Sequence, residues 1–304
     1  MSQPKLGLAL GSGVARGWAH IGVIRRLLQE GITPDFVCGT SIGALIGGMY
    51  LAGKLDELED WARDLGKSSL FRLLDIRLSG GGLISGTKLF KLLEETLGDT
   101  RIEDLSAPFA AVTTELGTGH EIWLRKGNLA EAIAASYALP GLFSPRRIDD
   151  RWLIDGALTN PVPVSVCRAL GARLVIAVNL NADVFGMTNI GEGEDSLAVD
   201  ENGNIMQAFH SRSPLNLMKH RFFDKSGTEP SIFGVMMSSL NIVQDRLSRS
   251  RLAGDPPDVT VAPRLAQHGL LEFNKADEMI AEGVAATDRS LPFLMHAMQV
   301  LALP

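Results

Sequence analysis

Apolar residues along the chain fall into two kinds of run. Short unbroken runs read as buried strands: Leu6–Leu10, Phe36-Val37-Cys38, Phe109–Thr114 and Leu174–Val178. Longer stretches carry apolar residues at helical spacing. Examples are Ile21, Ile24 and Leu28 within Trp18–Glu30, the segment Ala44–Leu51, and Leu55, Leu58, Trp61 and Leu65. Leu89, Phe90, Leu92, Leu93 and Leu97 form another set, and Leu129–Tyr137, stopped near Pro140, one more. Glycines punctuate the series at Gly11-Ser12-Gly13, Gly31 and Gly39–Gly43. The opening therefore reads β–turn–α–β–turn–α. That order predicts a three-layer α/β/α fold with a mainly parallel central sheet.

Shorter strands are expected at His120–Leu124, at Trp152-Leu153-Ile154 (ending in Asp155-Gly156) and at Val259-Thr260-Val261. The pattern lapses after Leu180. Asn181–Asn204 is rich in Asn, Gly, Asp and Glu, and residues 181–230 are expected to form a mobile lid or insertion within a single 1–304 domain. Ser231–Leu247 returns to helical spacing with Phe233, Met236, Met237, Leu240, Val243 and Leu247 on one stripe. Core packing is the plain reading of that stripe; an acyl groove, a membrane contact and a subunit interface are the alternatives. A terminal helix is predicted from Ala276, with Pro292 as a break.

Composition narrows the function classes. Apolar residues make up 45% and charged residues 21% of the 304 positions, so a substantial core can be buried. The net charge of −6 lacks the basic footprint of a nucleic-acid binder. Cys38 and Cys167 lie in apolar surroundings, which predicts buried, reduced thiols rather than a disulfide framework or a metal site. The start Met-Ser-Gln-Pro-Lys lacks the features of a signal peptide, and no apolar run is long enough to span a bilayer. The expectation is a cytoplasmic protein, with peripheral contact at the inner membrane face as an option.

Two glycine-rich turns carry the chemistry. Gly39-Thr40-Ser41-Ile42-Gly43 fits G-x-S-x-G between a strand and a helix. A sharp turn there projects the Ser41 hydroxyl away from the sheet, and the following helix points its positive end at the site. Gly11-Ser12-Gly13-Val14-Ala15-Arg16-Gly17 also joins a strand to a helix. As a dinucleotide fingerprint it fails, because the third glycine falls one place late and the second strand ends in Cys38-Gly39 without an acidic residue. Its backbone N–H groups suit an oxyanion, and Arg16 suits an anion or a carboxylate partner. For the base, local sequence leaves a choice. His268 is the best-placed of six histidines (the others are His20, His120, His210, His220 and His296), and Asp155 stands at the end of a strand.

Four motifs in this order resemble the patatin-like phospholipase family, most closely its bacterial, neuropathy-target-esterase-type members. They are the turn Gly11–Gly17, the elbow Gly39–Gly43, the segment Ala135-Ser136-Tyr137-Ala138-Leu139-Pro140, and Asp155-Gly156-Ala157. The likeness covers roughly residues 5–180. It implies a serine acyl hydrolase acting on lipid esters through a Ser41–Asp155 dyad, without a catalytic histidine and without a cofactor or metal. It places the oxyanion hole at Gly11, Ser12, Gly13 and Val14. Arg16, Gly39, Gly43, Ser136, Pro140 and Gly156 are the supporting positions. Ser12 stands where many members carry glycine. The expected partner is a lipid or acyl-ester substrate, with homo-oligomer formation left open. An acyltransferase using the same nucleophile and a nucleotide- or anion-binding regulatory protein are the competing functions.

Overall fold

A computed structural model describes residues 4–67, 87–183, 198–199, 205–206 and 232–302. The chain begins with β1 (Leu6–Leu10), a 3-10 turn over Val14–Trp18 and α1 (Ala19–Gln29). β2 (Phe36–Thr40), α2 (Ile42–Leu51), α3 (Leu55–Lys67) and α4 (Thr87–Leu97) follow. Then come β3 (Phe109–Glu115), β4 (Glu121–Leu124), α5 (Leu129–Ser136), β5 (Arg146–Ile148) and β6 (Arg151–Asp155). The second half contributes α6 (Val164–Ala169), β7 (Leu174–Val178), a small pair β8 (Ala198–Val199) and β9 (Ile205–Met206), α7 (Ile232–Gly254), β10 (Val259–Val261) and α8 (Ala276–Ala302).

The main sheet runs β10-β7-β1-β2-β3-β6-β5, with β4 paired to β3. Five consecutive strands, from β10 at one edge to β3, are mutually parallel, and β4, β5 and β6 add antiparallel pairs at the other side. Side chains alternate across each strand, and the two faces differ in size. Leu6, Leu8 and Leu10 of β1, with Leu174, Ile176 and Val178 of β7, build the larger core under α1, α2 and α8. Ala9, Cys38, Ala110 and Ala177 point the other way, where α6 lies close through Val164, Val166 and Cys167. A Cβ at Gly7 would sit 2.8 Å from Ala172 Cβ and 2.9 Å from Cys167 Cβ, so a residue without a side chain is needed for that approach. Both cysteines are free and buried.

Three expectations change. Pro292 does not break the terminal helix, which runs through it from Ala276 to Ala302. Proline removes one backbone hydrogen bond, but Leu294 is fully packed just beyond it and Leu291, Ala297 and Met298 also reach the core. The stripe read from Ser231–Leu247 does not face the core as a whole. Met237 is buried, Met236, Leu240 and Leu247 are half-buried and Val243 is exposed, while Asn241, Gln244, Asp245 and Ser248 are buried. The buried face is thus rotated by about a quarter turn from the apolar one. Two short strands also occur at 198–199 and 205–206, where no strand is predicted. Most of the expected lid, 184–197 and 207–230, lies outside the described residues, as do Phe222 and Phe223. Among the described residues, no helix is long and apolar enough to cross a membrane.

α1 and α8 cross through two facing glycines. A Cβ at Gly22 would stand 2.0 Å from Ile280 O, and one at Gly283 would stand 2.0 Å from Ala19 O. Alanine is otherwise the better helix residue by about 1 kcal/mol. Here the overlap with backbone forces the helices apart, a cost on the order of 1–3 kcal/mol. Gly22→Ala and Gly283→Ala should each lower the urea unfolding midpoint. A midpoint equal to wild type or above would show that the crossing tolerates a methyl group.

Candidate active site

The register of β3 places two strand ends against each other. Val112 pairs with Trp123 of β4 on one edge and with Thr40 of β2 on the other. Thr113 pairs with Ile122 of β4 and with Asp155 of β6. Since β4 occupies one edge throughout, β2 and β6 share the opposite edge, one after the other. They run toward each other, β2 parallel and β6 antiparallel to β3. The residue after β2 is Ser41 and the last residue of β6 is Asp155. Ser41 Oγ donates to Asp155 Oδ2 at 2.7 Å.

Local packing holds the elbow. Ser41 has φ 58° and ψ −122°, a left-handed backbone that few L-residues adopt at low cost. Its N–H donates to Ser136 Oγ at 2.9 Å, and that hydroxyl donates to Val112 O at 2.6 Å, so α5 and β3 fix the peptide together. Thr40 Oγ1 donates to Asn160 O at 2.8 Å from below. A Cβ at Gly39 would meet Ala44 N at 2.4 Å, and one at Gly43 would meet Leu10 O at 2.2 Å. The second contact matters most, because it lets the start of α2 press against the end of β1 and the turn that follows. A Cβ at Gly17 would lie 2.0 Å from Ile42 Cγ1, so the two turns interlock from both sides. Gly156 has the same need, with Val112 O 2.2 Å from where its Cβ would be.

Asp155 is 1% exposed. Oδ1 accepts from Ala157 N at 2.8 Å and Oδ2 accepts from Ser41. Burial pushes its carboxyl up to about 7, against the opposing pull of those two hydrogen bonds. Ser41 sits at the N-terminal end of α2, whose first N–H groups favour negative charge nearby.

The turn after β1 offers fewer donors than its length suggests. Gly11 N–H donates to Val178 O and Ser12 N–H donates to Pro161 O, so both are engaged in holding the turn. No partner among the described residues takes the N–H of Gly13 or Val14. Val14 has φ 53°, which turns the peptide between these residues away from the helical path. Several groups brace the turn. His20, fully buried and kept neutral by burial with its pKa down to about 4, donates from Nε2 to Gly11 O at 2.8 Å. Arg16 is buried and gives Nε and Nη2 to His268 O at 3.0 and 2.9 Å, and Nη1 to Asn181 Oδ1 at 3.4 Å. Desolvation lowers its pKa to about 10, which leaves it cationic at neutral pH. Ala15 N–H donates to Leu270 O and Trp18 Nε1 to Phe273 O.

The remaining candidates fall elsewhere. His268 lies behind the turn, where its carbonyl receives Arg16, and it makes no hydrogen bond to Ser41. His120 and His296 are exposed, and His210 and His220 lie outside the described residues. Pro140 is half-buried in the turn that leaves α5; Ala138 O, two residues before it, accepts Asp155 N–H at 3.0 Å. Among the described residues, no group of three His, Cys, Asp or Glu could hold a metal ion. Sequence reasoning missed two groups. His20 is one, because its role depends on a turn folding back onto α1. The other is the rank Asn241, Gln244 and Ser248 of α7, whose 3- and 4-residue spacing is the available signal. Gln244 Oε1 lies 3.4 Å from Ser12 Oγ, its donor.

The raised pKa of Asp155 has a stability sign. The folded protein binds that proton more tightly than the unfolded chain, so stability falls as pH rises from the ordinary carboxyl range through about 7. Asp155→Asn removes a charge that burial disfavours. Its thermal midpoint should exceed that of wild type at pH 8, with a smaller gain at pH 5. A gain of equal size at both pH values would show that the carboxylate is not the source.

Comparison with known proteins agrees with this architecture. The patatin-like phospholipase family model matches residues 8–168, which include both glycine turns, Ser136 and Asp155. An uncharacterized NTE family protein of Mycobacterium tuberculosis is 32% identical over 331 aligned positions, covering 95% of this chain and 92% of that protein. The neuropathy target esterase sws of Drosophila melanogaster is 33% identical over 195 positions, covering 62% of this chain and 14% of that protein. A patatin-like phospholipase domain-containing protein of Caenorhabditis elegans is 37% identical over 201 positions, covering 64% of this chain and 15% of that protein. With more than half of its length matched by the family model and nearly all of it by a relative of similar size, the chain belongs to the patatin-like phospholipase family, as an NTE-type member.

Proposed function

We propose that this protein is a lipid acyl hydrolase in which Ser41 is the nucleophile and Asp155 its base. The 2.7 Å contact between Ser41 Oγ and Asp155 Oδ2 carries the reading. Family membership supports hydrolysis of lipid esters as the general activity. As Ser41 Oγ attacks the ester carbonyl, its proton passes to Asp155 Oδ2. The negative charge on the carbonyl oxygen is held by the free N–H groups of Gly13 and Val14, a narrower set than the four residues of the motif. Collapse expels the alcohol, whose oxygen takes the proton back from Asp155. Water then repeats the sequence on the acyl-enzyme and releases a fatty acid.

A carboxylate is an inherently weak base for a serine hydroxyl. Removing it from water raises its basicity, and a pKa of about 7 brings it into the range useful near neutral pH. Ala157 N–H fixes the other oxygen and so aims the carboxylate without a histidine.

Ser41→Ala should reduce turnover of a chromogenic acyl ester to background and abolish labelling by a fluorophosphonate probe. Asp155→Asn should lose about 10²–10⁴-fold in kcat/KM, the usual contribution of a general base. His268→Ala should keep its activity, since Arg16 is held by the backbone carbonyl of residue 268; collapse of turnover there would overturn the dyad. In wild type, kcat/KM should fall on the acid side with a midpoint close to 7, because Asp155 must be ionised to accept the proton. A flat profile between pH 5 and 8 would remove Asp155 from the role.

A further inference from the structure

α7 borders the site with its polar side inward. Met237, Asn241, Gln244 and Ser248 stand four, three and four residues apart, which places them on one line along the helix. All four are buried, whereas Val235, Ile242 and Val243 on the outer side are about half exposed. This reverses the polarity expected of a helix laid on a protein core. Contacts at three points fix its course. Met237 packs on Leu139 and Leu142, Gln244 meets Ser12 of the turn after β1, and the helix also touches Gly156–Leu158, directly after Asp155. These three points border the dyad: Ser12 lies in the turn after β1, Gly156 follows Asp155, and Leu139 follows Ala138, whose carbonyl accepts Asp155 N–H.

The line has two chemical halves. At its start Met237, with Leu240 beside it, joins Leu139, Leu142, Phe143 and Val14 in an apolar cluster. Next on the line is Asn241, 4% exposed, whose Nδ2 has no hydrogen-bond partner among the described residues. An amide kept dry and unpartnered costs the folded protein stability. That cost is recovered when a bound molecule brings an acceptor. An acyl chain brings none, so it belongs with the apolar cluster. Asp245, buried beside Asn241, is paired through both carboxylate oxygens with Arg249, so its charge is already offset.

We infer that Asn241 and Gln244 form a polar subsite for the alcohol half of the ester, favouring a head that carries a free hydroxyl next to the scissile bond. On this assignment α7 orients an amphiphile, with the acyl chain under its first turns and the head under its middle. The inference rests on the Ser41–Asp155 reading and adds the recognition of the leaving alcohol to it.

The test compares 1-decanoylglycerol with propyl decanoate, which share the acyl group and differ in the hydroxyls of the alcohol. Wild type should favour the glyceryl ester in kcat/KM. Asn241→Leu should lower the ratio of the two kcat/KM values at least ten-fold, mainly through KM of the glyceryl ester. The same variant should melt no lower than wild type, since it removes an unpartnered buried amide. Val243→Ala on the outer side should leave the ratio as in wild type. A ratio unchanged by Asn241→Leu, with turnover still dependent on Ser41, overturns the subsite and leaves the dyad standing. Turnover that persists in Ser41→Ala, or no turnover of either ester, overturns the dyad and the subsite with it.

Discussion

Along one edge of β3 the hydrogen-bonding partner changes from β2 to β6 between Val112 and Thr113. Two strands of opposite direction therefore end at the same place, and neither can move along the edge without losing its ladder. This constraint puts Oγ of Ser41 and Oδ2 of Asp155 within hydrogen-bond reach while both belong to rigid elements. Two side chains mounted on loops would have to be ordered before they could meet; here the sheet has done so on folding. Ser136 binds Val112 O at the same changeover point and receives the N–H of Ser41, so the strained backbone of the elbow is tied to the residue where the partners switch.

The polarity of the site follows from its depth. A buried carboxylate with two donors is short of the solvation it has in water, and this shortage is what makes it basic. The same shortage makes the folded chain less stable as the group ionises. On the role proposed for Asp155, stability and function thus oppose each other, as is common where a group must act in a charged form away from solvent. The turn after β1 shows a related economy. Gly11 and Ser12 spend their N–H groups on fixing the turn, while those of Gly13 and Val14 have no partner among the described residues.

Much of this was readable from the chain. The alternation of glycine turns with apolar runs gave the order of β1, α1, β2 and α2, because each of those strands is buried on both faces and carries no polar interruption. Ser41 was legible as a candidate for the same reason, since G-x-S-x-G falls where a strand must become a helix. Asp155 was not separable from His268 by local sequence, as its meeting with Ser41 depends on β6 pairing antiparallel beyond the end of β2. Only the likeness to a family distinguished them. α7 misled for a different cause. Its apolar stripe is real, but burial there is decided by what lies beneath, and beneath it are Ser12 and the residues after Asp155. Pro292 misled because packing on both sides of one lost hydrogen bond outweighs the local preference.

The ties between the first turn and the far end of the chain bear on how the domain is divided. The family model stops at residue 168, yet Ala15, Arg16 and Trp18 all bond to carbonyls between residues 268 and 273. α1 and α8 then close the same junction through their paired glycines. The part that holds Ser41 and Asp155 is consequently not a portable cassette. Grafted or expressed without β10 and α8, it would keep both residues in sequence but leave the turn after β1 unanchored, so the smallest transferable unit extends to the last helix.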